Sequence, residues 1–180
     1  MIFTTIGTQL PFDRLLRGMD SWAARNKDIR IVAQAGATTS RFQNFQTVAY
    51  LSQPEFRDHM NSASLVVAHA GMGTILSATE LGLSVILMPR LGKFGEHRND
   101  HQLDTAKEMA RLSNVTIVED GESLHHALDL ARARNFEVPR AQSADVSGEL
   151  DPLLRAIQDF VWKDEAPLRA GAFSNGREIA

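Results

Sequence analysis

The stretch VVAHAGMGTILSATELG, residues 66–82, joins three local patterns without a break and decides how the rest of the chain is interpreted. The apolar run 66–68 leads into His69, two closely spaced glycines follow, and a helical pattern then begins. A strand, a glycine turn and a helix in this order are typical of a parallel α/β unit. The free N–H groups at such a helix start favour an anion, although the same junction also occurs as a plain connection.

Short apolar runs alternate with helical patterns along most of the chain. Several of the runs are apolar on consecutive residues, which is typical of strands buried on both faces of a parallel sheet. We predict strands at Ile2–Ile6, Ile29–Ala33, Thr47–Tyr50, Leu65–Ala68, Val85–Met88 and Val115–Val118. The predicted helices are 11–26, with Pro11 suited to a first turn, 53–63, Met72–Leu81, His101–Arg111 and Glu122–Ala133. This order predicts an α/β fold, a Rossmann-like parallel sheet with helices on both faces.

The alternation predicts a division of the chain into three parts. Residues 1–135 are expected to form the Rossmann-like domain, and residues 136–165 a connection followed by a helix, Glu149–Lys163, with one apolar face. Residues 166–180 have the small and polar composition of a poorly ordered tail.

Composition excludes several classes of function. With 180 residues, 43% of them hydrophobic and 23% charged, the chain has the profile of a soluble globular protein. Its net charge of -3 gives no reason to expect a nucleic-acid partner. The absence of cysteine excludes disulfides, a thiolate nucleophile and a zinc–thiolate site. Lacking a signal-peptide pattern or a run of about 20 apolar residues, the protein is expected in the cytoplasm, with any membrane contact peripheral.

Three loops follow predicted strands and should meet at one edge of the sheet, because ligands of open α/β sheets bind beyond the carboxyl ends of the strands. They are GTQ at 7–9, HAGMGT at 69–74 and PRLGKFGEHRNDHQ at 89–102. At Gly7 the backbone can approach a ligand closely and Thr8 adds a hydroxyl, but a simple strand-to-helix turn is the equal alternative.

The middle loop has both a functional and a structural interpretation. Gly71 and Gly73 would open a helix that favours an anion, and Thr74 would be a cap or a phosphate ligand. The third glycine of the dinucleotide fingerprint is missing, since Ser77 stands in the helix instead. His69 would donate a hydrogen bond or carry a charge beside a phosphate, or it would be a hydrogen-bonded structural residue.

The loop 89–102 is the most polar of the three. Side chains in DHQ, residues 100–102, lie at a predicted helix start where they could contact the hydroxyls of a sugar. Arg90, Lys93 and Arg98 would suit an acidic sugar, a phosphate, a partner or no ligand at all. The pair His97 and His101 has the spacing of metal ligands on a helix, but no third ligand is evident and we predict no metal. Neither a G-x-S-x-G elbow nor a GxxxxGK[ST] loop is present.

Taken together, FTTIGTQLPFDRLL, ASLVVAHAGMGT and GLSVILMPRLGKFGEHRNDHQLDTA resemble the C-terminal, nucleotide-sugar-binding half of family 28 glycosyltransferases. The likeness covers residues 1–135 and is strongest to small Alg13-like subunits and their bacterial exopolysaccharide counterparts. It implies half of a GT-B fold that binds a UDP-sugar without a metal or other cofactor.

The resemblance also implies roles for individual residues. Gly7, Thr8 and Gln9 would lie beside the diphosphate, and Leu51 would hold uracil through backbone groups. The phosphate turn would consist of His69, Gly71, Gly73 and Thr74. In the reaction expected from it, helix N-terminal amides, Thr74 and either His69 or Arg90 would stabilise the charge on the leaving diphosphate. Sugar hydroxyls would be contacted by Asp100, His101 and Gln102.

Two departures from the family pattern shape the expected function. Ser77 replaces a glutamate that many relatives use to hold the ribose, and the nearest acid is Glu80. The chain also resembles only the donor half, so we expect a membrane-associated, Alg14-like subunit to bind a lipid-linked saccharide acceptor. That subunit would supply the catalytic base, with His69 and His101 as weaker candidates in this chain.

The resulting expectation is the donor-binding catalytic subunit of a two-component inverting glycosyltransferase that extends a lipid-linked saccharide. It would act in polysaccharide or glycan biosynthesis, at the inner face of the membrane through its partner. The alternative is a non-catalytic nucleotide-sugar-binding accessory or sensor protein. A sugar-nucleotide epimerase is a third class, but it needs two halves in one chain.

Overall fold

A computed structural model describes residues 1–137 of the protein. Six strands alternate with five helices, and a short 3₁₀ turn, Gly92–Phe94, lies in the loop after the fifth strand. The strands are β1 Ile2–Thr5, β2 Ile31–Gln34, β3 Gln46–Val48, β4 Leu65–His69, β5 Ser84–Met88 and β6 Val115–Ile117. The helices are α1 Asp13–Arg25, α2 Gln53–Ser62, α3 Met72–Glu80, α4 His101–Met109 and α5 Gly121–Ala133.

The six strands form one parallel sheet in the order β3-β2-β1-β4-β5-β6. The chain therefore starts at the centre, builds outward to β3, and crosses back to build outward to β6. Because β1, β4 and β5 are neighbours, the loops after these strands leave the sheet side by side. This arrangement confirms the predicted fold class and the predicted convergence of the three loops.

Helices cover both faces of the sheet, and the strands supply apolar side chains to each. On one face Ile2 and Val67 pack with Trp22 of α1 and Leu124 of α5. On the other, Phe3 and Val66 pack with residues of α2 and α3. Successive strand residues thus enter opposite cores, which explains why central strands such as β4 and β5 are apolar on consecutive positions.

The element ends differ from the sequence prediction by one or two residues. α1 begins at Asp13 rather than Pro11, because Phe12 has the non-helical dihedrals φ -141° and ψ 63°. β4 extends one residue further, to His69, which pairs in register with Met88. The predicted helix Glu149–Lys163 and the predicted tail 166–180 lie outside the described residues, so the three-part division remains a prediction. None of the helices within residues 1–137 is long and apolar enough to cross a membrane.

Candidate functional site

The imidazole of His69 lies between two glycine loops at the carboxyl edge of the sheet. A Cβ atom at Gly71 would be 2.3 Å from its Nε2, and one at Gly7 would be 2.9 Å from its Cε1. Both positions therefore lack a side chain because the ring occupies that space. Gly7 also has a φ of +75°, a left-handed conformation that side-chain-bearing residues rarely adopt. The histidine holds the loop after β1 against the loop after β4.

Burial between these loops determines the charge of the His69 imidazole. It lowers the pKa of the imidazole from 6.5 to about 4, and the nearby positive charge of Arg90 acts in the same direction. The ring is therefore neutral near pH 7. Of the roles that the sequence left open, a hydrogen-bond donor and a packed structural residue both fit this state, whereas a cationic phosphate ligand does not.

The start of α3 has the geometry expected of an anion site. Gly71 is the N-cap residue and offers no side chain to the first-turn N–H groups. A Cβ atom at Gly73 would have no neighbour within 4 Å, so this glycine borders open space. Thr74 is buried and Ser77 is half-buried on the same helix, whereas Glu80 is exposed at its end.

The predicted base-binding position follows β3 at the same edge. Leu51 is half-buried, and within residues 1–137 the backbone N–H and C=O groups of Tyr50 and Leu51 make no hydrogen bond. These groups are available to pair with a base, as the resemblance implies for Leu51. Tyr50 as a whole residue is 58% exposed. The sequence analysis did not include Tyr50 among the candidate site residues, although it is the chain's sole tyrosine and stands at the end of a predicted strand.

Arg90 occupies a place that its sequence position did not indicate. Its side chain is buried, with the residue only 3% exposed. Nη2 donates to the carbonyls of Ile6 at 2.7 Å and Leu10 at 2.6 Å, and Nη1 to those of Pro11 at 2.7 Å and Glu96 at 3.2 Å. The predicted direct contact with a diphosphate does not fit this arrangement, because both terminal nitrogens are already bonded to backbone oxygens.

A second arginine, Arg14 of α1, completes the connection between the loops. Its Nε and Nη2 each donate at 2.8 Å to the carboxylate of Glu96, and Nη2 also reaches the carbonyl of Pro89. The Glu96 carboxylate further accepts the N–H of Leu91 at 3.0 Å. Here Arg14, Arg90 and Glu96 are called the arginine clasp. Sequence reasoning missed Arg14, because 82 residues separate it from Glu96 and no local pattern marks the pair.

The three predicted sugar-contacting residues differ in how far they are already engaged. Asp100 accepts the N–H of Gly92 at 2.6 Å through Oδ1. Gln102 is buried, and its Oε1 accepts the N–H of Arg90 at 3.1 Å. His101 is exposed, bonded to the side-chain oxygen of Asn99 and packed edge-on against the His97 ring with centroids 4.4 Å apart. Gln102 is thus partly a structural residue, whereas His101 faces solvent.

The structure places the loops that carry most of the predicted site residues at one edge, after β1, β3, β4 and β5, with Ser77 further along α3. Thr8 and Gln9 are exposed in the first loop, next to Gly7. Among residues 1–137, no three His, Asp or Glu side chains lie close enough to share a metal ion. What the edge offers a ligand is helix N–H groups, neutral imidazole and amide side chains, and the free backbone groups of Leu51.

Comparison with known proteins gives the family that the sequence motifs resemble. The family model described as "Glycosyltransferase family 28 C-terminal domain" matches residues 1–150. No curated protein matches the chain.

Solved structures match over most of the chain. MurG of Acinetobacter baumannii superposes with a TM-score of 0.57 at 17% identity, over 87% of this chain and 49% of that one. The solution structure of ALG13 gives 0.56 at 16% identity, over 85% of this chain and 94% of that one. UDP-GlcNAc 2-epimerase of Methanocaldococcus jannaschii, in complex with UDP-GlcNAc and UDP, gives 0.53 at 14% identity, over 87% and 44%.

At these identities the structural matches establish the fold alone. The chain spans about half the length of MurG and of the epimerase, and nearly all of ALG13.

The two motif glycines should respond differently to the same substitution. Gly71→Ala places a methyl group against the wedged His69 ring and is expected to lower the free energy of unfolding by about 1–3 kcal/mol. Gly73→Ala meets open space inside a helix and should leave stability unchanged or raise it by up to about 1 kcal/mol. Urea unfolding of both variants measures this, and equal stabilities would contradict the packing described for His69.

His69 also predicts a pH dependence of stability. Between pH 6.5 and about 4 the unfolded chain binds a proton that the folded chain does not. Above pH 6.5 the contribution of His69 to the free energy of unfolding is therefore complete. As the pH falls from 6.5 to about 4, the free energy of unfolding decreases by about 3 kcal/mol. Urea unfolding of the wild type and of His69→Asn at several pH values isolates this contribution as the difference between the two. A difference that stays constant with pH would show that the ring titrates normally.

Proposed function

The chain belongs to the family of glycosyltransferase family 28 C-terminal domains, and from this membership we propose that it is the donor-binding catalytic subunit of a two-component inverting glycosyltransferase. The observation that carries the proposal is the carboxyl edge, where the loops after β1, β4 and β5 lie side by side and Gly73 borders open space at the uncapped start of α3. Such an edge suits a ligand that needs close backbone approach at its centre.

The ligand proposed for this edge is a UDP-sugar. A diphosphate would lie against the first turn of α3, in the open space beside Gly73, with the loop of Gly7 and Thr8 next to it. Uncapped N–H groups and the helix dipole stabilise negative charge there. Uracil would pair with the backbone of Leu51. The sugar would lie toward the loop 89–102, within reach of Asp100, His101 and Gln102. With Ser77 in place of an acid, the ribose would have one hydroxyl partner on α3 rather than a carboxylate.

The proposed reaction is a direct displacement at the anomeric carbon. The acceptor hydroxyl oxygen bonds to that carbon while the bond to the β-phosphate oxygen breaks, so that the configuration inverts and UDP leaves. A base takes the acceptor proton. Negative charge grows on the departing diphosphate, and preorganised N–H donors that face it lower the barrier. His69, neutral and fixed, is suited to donate one further hydrogen bond.

The open edge supports closure by a second protein surface. The chain corresponds to about half of MurG, and the proposed donor site lies at an edge that the described residues do not enclose. Glycosyl transfer requires water to be kept from the reacting centre. We therefore propose that a membrane-associated, Alg14-like subunit closes over this edge and brings the base and a lipid-linked saccharide acceptor. Through it the chain would act at the inner membrane face, in polysaccharide or glycan biosynthesis.

Donor binding gives the first test. Calorimetry should show that the wild-type chain binds UDP and that Gly73→Ala weakens binding by about tenfold, or about 1.4 kcal/mol, because the methyl group enters the ligand space. Gly121→Ala is the matched control, since it also adds a methyl group to open space in the first turn of a helix. If the wild type does not bind UDP, both the enzyme and the sensor alternative are wrong.

Turnover with the partner gives the second test. Co-expression with a candidate membrane-anchored subunit should yield release of UDP from a UDP-sugar that depends on both chains and on a lipid-linked acceptor. Neither chain alone should release UDP above background, because the base and the donor loops lie on different chains. UDP binding without turnover in the complex would favour the accessory or sensor function instead.

A further inference from the structure

Arg90 is the most heavily hydrogen-bonded buried cation within residues 1–137, yet it contacts no carboxylate directly. Four backbone carbonyls receive its terminal nitrogens, and the Phe12 ring lies 4.8 Å from its guanidinium carbon. Buried charge is costly unless it is compensated, so a guanidinium in this position requires an explanation.

The four carbonyls belong to two different loops of the proposed site. Ile6, Leu10 and Pro11 surround the GTQ segment after β1, 79 to 84 residues before Arg90 in the chain. Glu96 lies in the loop after β5, 6 residues after Arg90. The N–H of Arg90 itself is bonded to Gln102 at the start of α4. One residue therefore connects the proposed diphosphate loop with both ends of the proposed sugar loop.

From these contacts we propose that Arg90 is a positioning residue for the donor diphosphate, fixing the loop after β1 and placing a positive charge behind it. This inference rests on the proposed function. The guanidinium does not touch the ligand. It acts through the loop carbonyls that it binds and through its charge.

The charge of Arg90 is not neutralised within the arginine clasp. The Glu96 carboxylate is bound in bidentate fashion by Arg14, while Arg90 meets only the Glu96 carbonyl. Two arginines and one glutamate leave one positive charge on the clasp. Burial lowers the pKa of Arg90 only to about 10, so it remains protonated at neutral pH. Its charge reaches the phosphate turn, because it helps to lower the pKa of His69.

A lysine at position 90 cannot make the same set of hydrogen bonds. Two terminal nitrogens of a planar guanidinium each donate to two carbonyls, whereas a single ammonium nitrogen has three donors and no fixed fork. Arg90→Lys therefore keeps the charge but loses the geometry, and Arg90→Gln loses both.

The test compares UDP with uridine, which lacks the phosphates, on the full-length chain. Arg90→Gln is expected to weaken UDP binding by about tenfold or more in calorimetry while uridine binding changes by less than about twofold. Arg90→Lys should fall between the wild type and Arg90→Gln. Arg132→Gln is the matched control: its guanidinium bonds Asp28 and Asn26 away from these loops, so the variant should lose stability without losing UDP affinity.

A second readout separates charge from structure. In an NMR titration, Arg90→Gln should raise the pKa of His69 relative to the wild type, whereas Arg90→Lys should raise it less. If the wild type binds UDP and Arg90→Gln binds it equally well, the positioning role alone is wrong. Equal losses for UDP and uridine would also overturn it, since they would indicate general damage to the site. If the wild type fails to bind UDP, the proposed function fails first.

Discussion

Three neighbouring strands, β1, β4 and β5, end at one edge of the parallel sheet, and the candidate site depends on that adjacency. The chain places β1 at the centre and crosses back over it before building β4, so segments far apart in sequence become adjacent loops. In open α/β sheets this reversal leaves a crevice at the carboxyl ends of the strands. The apolar cores on the two faces hold the strands in that order, which makes the edge a rigid base for the loops.

Within the edge, the loops are held by single side chains that bridge them. His69 separates Gly7 from Gly71, Arg90 gathers the carbonyls of two loops, and Arg14 binds Glu96. The two arginines pair with backbone carbonyls and a carboxylate that would otherwise be costly to bury, whereas His69 acts by packing. The loops are consequently arranged before any ligand arrives, which is the condition under which backbone N–H groups stabilise developing charge most effectively.

The electrostatics of the edge follow from the same contacts. The proposed diphosphate site is formed by a neutral imidazole and uncapped helix N–H groups. The charged guanidinium of Arg90 is buried beneath the loop after β1. A charge held at a distance stabilises an anion without competing for its hydrogen bonds. The proposed partner subunit would increase each of these effects by excluding water, because electrostatic interactions strengthen as the local dielectric falls.

The sequence alone determined the fold class and which loops form the edge. Short β-type runs predicted the six strands of residues 1–137, most clearly β4 and β5, whose consecutive apolar residues reflect burial on both faces of the sheet. The glycine and DHQ motifs pointed to the loops after β1, β4 and β5, because tight turns leave local patterns. Strand and helix ends were predicted only to within one or two residues, since the last residues of an element depend on its neighbours.

Only the tertiary structure decided how the individual loop residues are packed and bonded. It distinguished Gly71, which accommodates the His69 ring, from Gly73, which borders open space, although the two look alike in sequence. It also buried Arg90 and paired Arg14 with Glu96 across 82 residues. These outcomes depend on which side chains meet after the sheet has formed, and sequence spacing carries no information about such long-range contacts.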